Sequence, residues 1–203
     1  MSSIGLRASS RASVFRSGIL FPLFDPMIGA DGVGGSIWSR LVTRLLDDEP
    51  DAEFVLANVS RCGSTVEGWG RSGTFCLEET CADLAESGIR PAQVLWQQGE
   101  SDTARGTSRN EYVAGVMALR DRLRRSGVDA PIFLALSTRW RGQVSQEIRG
   151  AIQDLVTMRT DFRLGPDTDA LGDDYRSDGT HLSAEGQDAA AALWQEALAP
   201  GPR

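Results

Sequence analysis

Lysine is absent from the chain and histidine occurs once, at His181, so all 21 basic residues are arginine. A metal centre built on several imidazoles is thereby excluded, and histidine-based proton transfer has a single candidate. Acidic residues number 28, leaving a net charge of −7 and a pI near 4.8. That balance argues against a nucleic-acid partner, which requires a basic stripe to neutralise phosphates. No apolar run approaches the ~20 residues that span a bilayer, so no membrane association is expected. Residues 1–18 are rich in Arg and Ser and free of acids, with no secretory core. Organelle transit segments and flexible starts share that composition, so the compartment stays open, cytoplasmic by default. Cys62, Cys76 and Cys81 are odd in number and lack the CxxC spacing of a zinc site, and they read as buried structural thiols. What remains, 41% hydrophobic and 24% charged residues over 203 positions, fits one ordinary domain with a sizeable core.

Behind Ser36, a good N-cap, Trp38, Leu41, Val42 and Leu45 recur at helical spacing. Residues 53–59 form a short apolar, β-branched run of the kind found in buried parallel strands. The pattern then repeats. A helix near 74–87 closed by Gly88, a strand at 93–97 and a helix over 109–126 closed by Gly127 come first. A strand at 132–137, a helix near 145–159, a short strand at 162–164 and a last helix over 183–198 complete the chain. This alternation predicts an α/β fold, a three-layer α/β/α sandwich with a parallel sheet. Residues 1–24 are expected to be an irregular or non-native segment, because Pro22 argues against a central strand there, and the domain is placed at 25–203.

In such sheets ligands sit outside the carboxyl ends of the strands. The loops there are SRCGSTVEGW (60–69), QGESDTARGTS (98–108), STRWRGQ (137–143) and GPDTDALGDDYRSDGTH (165–181). Asp178 stands three residues before His181, the spacing at which a carboxylate orients an imidazole as general base. Competing with this is a turn-forming Asp178 beside a surface His181. Gln98 has an amide N–H suited to an oxyanion, Gly99 lets the backbone approach closely, and Glu100 is placed to brace the loop. Gly63 presents a backbone N–H from its own loop, although a plain turn has the same composition. Asp167, Asp169, Asp173 and Asp174 suggest calcium, but DTDALGDD lacks the third oxygen ligand of a calcium loop, and no metal is expected.

Taken together, WQQGESD, CGSTVEGW and DGTHLSAEG resemble the SGNH hydrolases, and within them the sialate O-acetylesterase-like carbohydrate esterases, over about residues 25–198. The resemblance implies removal of acetyl groups from sugars through a serine acyl-enzyme, without metal or organic cofactor. Its substrate would be a small-molecule or oligosaccharide acetyl ester. Carried across by motif, His181 is the base, Asp178 its orienter, and Gly63 and Gln98 are the oxyanion donors.

One block is missing. Enzymes of this type carry their nucleophile, usually in GQSN, at the end of a first strand upstream of a region like DPMIGADGVGGSIW. No GQSN or GDS precedes Asp25 here, and Ser2, Ser3, Ser9, Ser10, Ser13 and Ser17 lack the required neighbours. Ser36 is the fallback nucleophile, at a helix start that would stabilise an alkoxide, with a capping role as its competitor. The expectation is therefore a truncated SGNH-type domain, its first strand absent and its nucleophile unidentified, weakly active or inactive as it stands. The alternative is a non-catalytic carbohydrate-binding relative, with Trp69, Trp140 and Tyr175 stacking on sugar rings.

Overall fold

The computed structural model describes residues 11–199. The chain opens with β1 (Ala12–Arg16) and β2 (Ile19–Pro22), an antiparallel hairpin joined through Ser17 and Gly18 at φ 49° and 77°. Two positive φ values are what a two-residue hairpin turn needs. Thus the expected irregular start over 1–24 is corrected within residues 12–22, while residues 1–10 lie outside the described residues. Pro22 is the last residue of β2, an edge strand whose Ile19 and Leu20 are exposed. An edge is where proline is tolerated, because no partner needs its N–H.

On its other side β1 pairs in parallel with β3 (Phe54–Leu56). A second sheet contains β4 (Val94–Trp96), β5 (Ile132–Leu136) and β6 (Phe162–Asp167), all parallel, in the order β4-β5-β6. The α/β sandwich is present, but its sheet is mixed at one end and divided in two. No ladder among the described residues joins β1 or β3 to β4.

Helix α1 (Ile37–Asp48) lies beneath both sheets. Its Val42 and Leu46 pack on Ala12 and Val14, while Leu41 meets Ala135 and Trp194. Trp194 belongs to α7 (Ala184–Leu198), the second helix of this face. It is fully buried, donates its indole N–H to Gln97 at 2.7 Å and lies 5.4 Å from the Trp38 ring. Covering the opposite face are α2 (Val66–Gly70), α3 (Leu77–Glu86), α5 (Arg109–Arg125) and α6 (Gln146–Met158). Tyr112, Val116, Leu119, Ile148 and Ile152 there bury Ile132 and Leu134. A short α4 (Glu100–Arg105) completes the set, so two of the expected loops contain α-helices and a third, 165–181, contains two short 3-10 turns. The helix expected from residue 74 starts at Leu77, because Phe75 and Cys76 take positive φ and cannot continue a right-handed turn. Cys81 is buried, whereas Cys62 and Cys76 are exposed in loops, which corrects the reading of all three as buried thiols. No helix among the described residues is long and apolar enough to cross a membrane.

Arg122 secures the α2–α3 connection to α5. Its side chain is fully buried and donates to both carboxylate oxygens of Glu78, to the Trp69 carbonyl, and to the hydroxyl and carbonyl of Thr74. Arg122→Ala leaves these carbonyls without partners and is expected to cost about 3–5 kcal/mol, read as a lower urea midpoint. Hydrogen bonding from Arg122 is the largest influence holding Glu78 at a pKa of about 2. This stabilisation is fully present above the ordinary glutamate pKa of ~4.3 and is lost as pH falls through about 2, and Glu78→Gln should abolish that part of the acid sensitivity.

Candidate active site

Residues 173–183 form a compact turn before α7. Arg176 and Leu182 are bridged, and the Ser177 N–H donates to the His181 carbonyl at 2.8 Å, closing the loop. Inside it, Asp178 Oδ1 accepts the amides of Thr180 (3.0 Å) and His181 (2.7 Å), while Oδ2 lies 2.7 Å from His181 Nδ1. The His181 backbone N–H, then its side chain, hold the Asp178 carboxyl down at about 2. An ionised Asp178 fixes the proton of a neutral imidazole on Nδ1 and leaves Nε2 as acceptor. Both side chains face solvent, His181 at 67% and Asp178 at 54% exposure, so the pair stands at a surface that an ester can reach. From outside, the turn at Trp140–Gln143 holds the loop: Gly142 donates to the Gly179 carbonyl and Arg141 to the Thr180 hydroxyl, each at 3.0 Å.

Gln98 and Gly63 come together at the end of β4, but not as expected. The Gln98 amide donates one hydrogen to the Ser64 carbonyl at 3.1 Å and the other to Asp102 Oδ2 at 2.5 Å, and its oxygen accepts from Tyr112. Neither N–H is free for an oxyanion, so Gln98 ties the Gly63 loop to β4 instead of facing an acyl group. Gly63, at φ 65°, is exposed, and its N–H makes no hydrogen bond among the described residues. Gly99 allows the chain to pass β5, since a Cβ would stand 2.6 Å from the Ser137 carbonyl oxygen. Glu100 accepts the Ser137 hydroxyl at 2.8 Å, and burial pushes its carboxyl up, opposed by that bond and the charge of Arg176.

Ser36 caps α1, its hydroxyl accepting the Trp38 N–H at 3.1 Å, and among the described residues no hydrogen bond joins it to His181. Ser13 lies within β1 and Ser17 in the hairpin turn, while Ser2, Ser3, Ser9 and Ser10 fall outside the described residues. Three of the four aspartates suggestive of calcium are taken up by arginines: Asp167 and Asp169 pair with Arg149, and Asp173 with Arg139, while Asp174 lies in a short 3-10 turn with Asp173 and Tyr175. Trp69 is in the core against Phe75 and Trp96, which corrects its reading as a sugar platform, whereas Trp140 is half-buried and Tyr175 exposed.

Residues 29–199 match a family model described as carbohydrate esterase, sialic acid-specific acetylesterase. The chain belongs to this carbohydrate esterase family. Solved structures with the same fold include a carbohydrate esterase of family 3 from Talaromyces cellulolyticus, at 12% identity and TM-score 0.54, covering 80% of this chain and 86% of that one. A protein described as a GDSL-like lipase from Parabacteroides merdae ATCC 43184 aligns at 17% identity and TM-score 0.58, with 81% and 82% covered. An acetyl esterase variant, serine replaced by alanine and holding an acetate ion, aligns at 14% identity and TM-score 0.53, with 80% and 86% covered. Comparison with curated proteins gives no match.

In this family member, two polar residues that shape the site, Asp102 and Arg176, escaped notice in the sequence, and a third, Asp169, entered only as a calcium candidate. Asp102, 1% exposed, accepts the Val66 N–H at 2.9 Å, the Gln98 amide and the Thr107 hydroxyl at 2.8 Å. Asp169 and Arg176 are likewise buried. Acidic side chains in polar loops read as solvated, and only their burial reveals them as fixed. Asp102→Ala leaves the Val66 N–H, the Gln98 amide and the Thr107 hydroxyl without their acceptor, and is expected to cost about 2–3 kcal/mol, measured by urea unfolding with native-state fluorescence as the folding control.

Proposed function

We propose that this member of the carbohydrate esterase family removes O-acetyl groups from sugars through a serine acyl-enzyme, with His181 as the base and Asp178 as its orienter. The geometry of Asp178 and His181 carries the reading: an ionised carboxylate 2.7 Å from Nδ1 and a solvent-facing ring are what a general base requires. In the proposed reaction the His181 Nε2 takes the serine proton as the alkoxide attacks the acetyl carbon. Negative charge then gathers on the carbonyl oxygen, where the free N–H of Gly63 is the available donor. Collapse expels the sugar hydroxyl with the proton from His181, and water, activated by the same base, releases acetate.

A second reading, a sugar-binding relative without turnover, is favoured by one observation: no serine hydroxyl is hydrogen-bonded to the His181 ring among the described residues. Fluorophosphonate treatment of the 203-residue chain, with peptide mapping and His181→Ala as control, separates the readings. The expected result is one labelled serine, lost in the control, together with acetate release from O-acetyl sugars. Sugar binding with neither labelling nor turnover would overturn the esterase reading and establish the binding one.

A further inference from the structure

Arg176 is 9% exposed, yet among the described residues no carboxylate touches its guanidinium. All three of its nitrogens donate to backbone carbonyls instead: Nε to Leu171 at 3.2 Å, Nη2 to Thr168 at 2.8 Å and Nη1 to Thr180. Burial works against this charge, as does Arg139, and Glu100, Asp169 and Asp173 offset part of the cost by attracting it from nearby. Thr168 and Leu171 follow β6 directly, whereas Thr180 is the residue before His181. One rigid fork therefore fixes the loop of the pair to the end of a core strand.

The turn is closed from within by Asp178, with Gly179 at φ 76°, which glycine adopts without strain, and contacts from outside anchor it to the rest of the fold. The Trp140–Gln143 turn holds the outer side, at Gly179 and the Thr180 hydroxyl, and Arg176 holds the inner side at the Thr180 carbonyl. We propose that Arg176 is the positioning residue for the Asp178–His181 pair, keeping the imidazole on the carboxylate by fixing the Thr180 carbonyl. The proposal rests on reading the pair as orienter and base, but its test needs no turnover.

Because His181 is the only histidine, its imidazole resonances are identified in the whole chain without further assignment. Arg176→Lys keeps the charge but has one nitrogen in place of three, and Arg176→Gln removes the charge. In either variant, folded by circular dichroism, water exchange of the His181 Nδ1 proton should accelerate about tenfold, the loss expected for a loosened hydrogen bond. The Asp178 carboxyl titration should rise from about 2 towards the ordinary ~3.9. A folded variant with both signals unchanged overturns the proposal. Should neither variant fold, amide hydrogen exchange in the unmodified chain decides: Thr180 and His181 exchanging as slowly as the β6 amides supports the clamp, and exchange at the rate of an exposed loop refutes it. Failure of serine labelling would leave these signals untouched, so the clamp and the esterase reading fail separately.

Discussion

Asp169 holds the functional end of the molecule together. At 4% exposure its carboxylate would be costly to bury alone, but it accepts the Thr138 N–H at 2.6 Å, the Thr138 hydroxyl at 2.7 Å, the Arg139 N–H at 2.9 Å and Arg149 at 3.0 Å. Those donors belong to the segment after β5 and to α6, while Asp169 follows β6. Neighbouring loops are thereby held in one arrangement. Both outside contacts on the Asp178–His181 turn descend from it, one through the Trp140–Gln143 turn and the other through Thr168 and Arg176.

At the other side of the site Asp102 has the equivalent part, binding the start of α2 to Gln98 and to Thr107. A buried carboxylate receiving backbone N–H groups is stiffer than an apolar contact, because each bond has a direction as well as a distance. Arginine complements this pattern. Arg122 and Arg176 each satisfy several carbonyls at once, work for which a lysine ammonium has the wrong shape.

Much of this fold is legible in the sequence because its signals are local. Ser36, Ser108, Ser145 and Ser183 each cap a helix with the side-chain oxygen, and Ser108 completes a capping box with Glu111. The contact of Asp178 with His181 is legible for the same reason, as it needs only three residues of turn. Helices α2 and α4 are too short to show a period. The break between β1 and β4 is invisible because strand pairing joins residues far apart in the chain. Gln98 is legible only in part: its chemistry says that it donates, but only the positions of Ser64 and Asp102 say to whom.

The turn around Asp178 has a consequence for motif-based inference. Two of the three contacts on its carboxylate come from backbone amides within the next three residues, so an acid at this position stabilises the turn whether or not a nucleophile exists. Selection for a stable entry into α7 would preserve the aspartate after catalysis had ceased. An intact DxxH is thus a weaker witness to activity in such chains than the serine it serves.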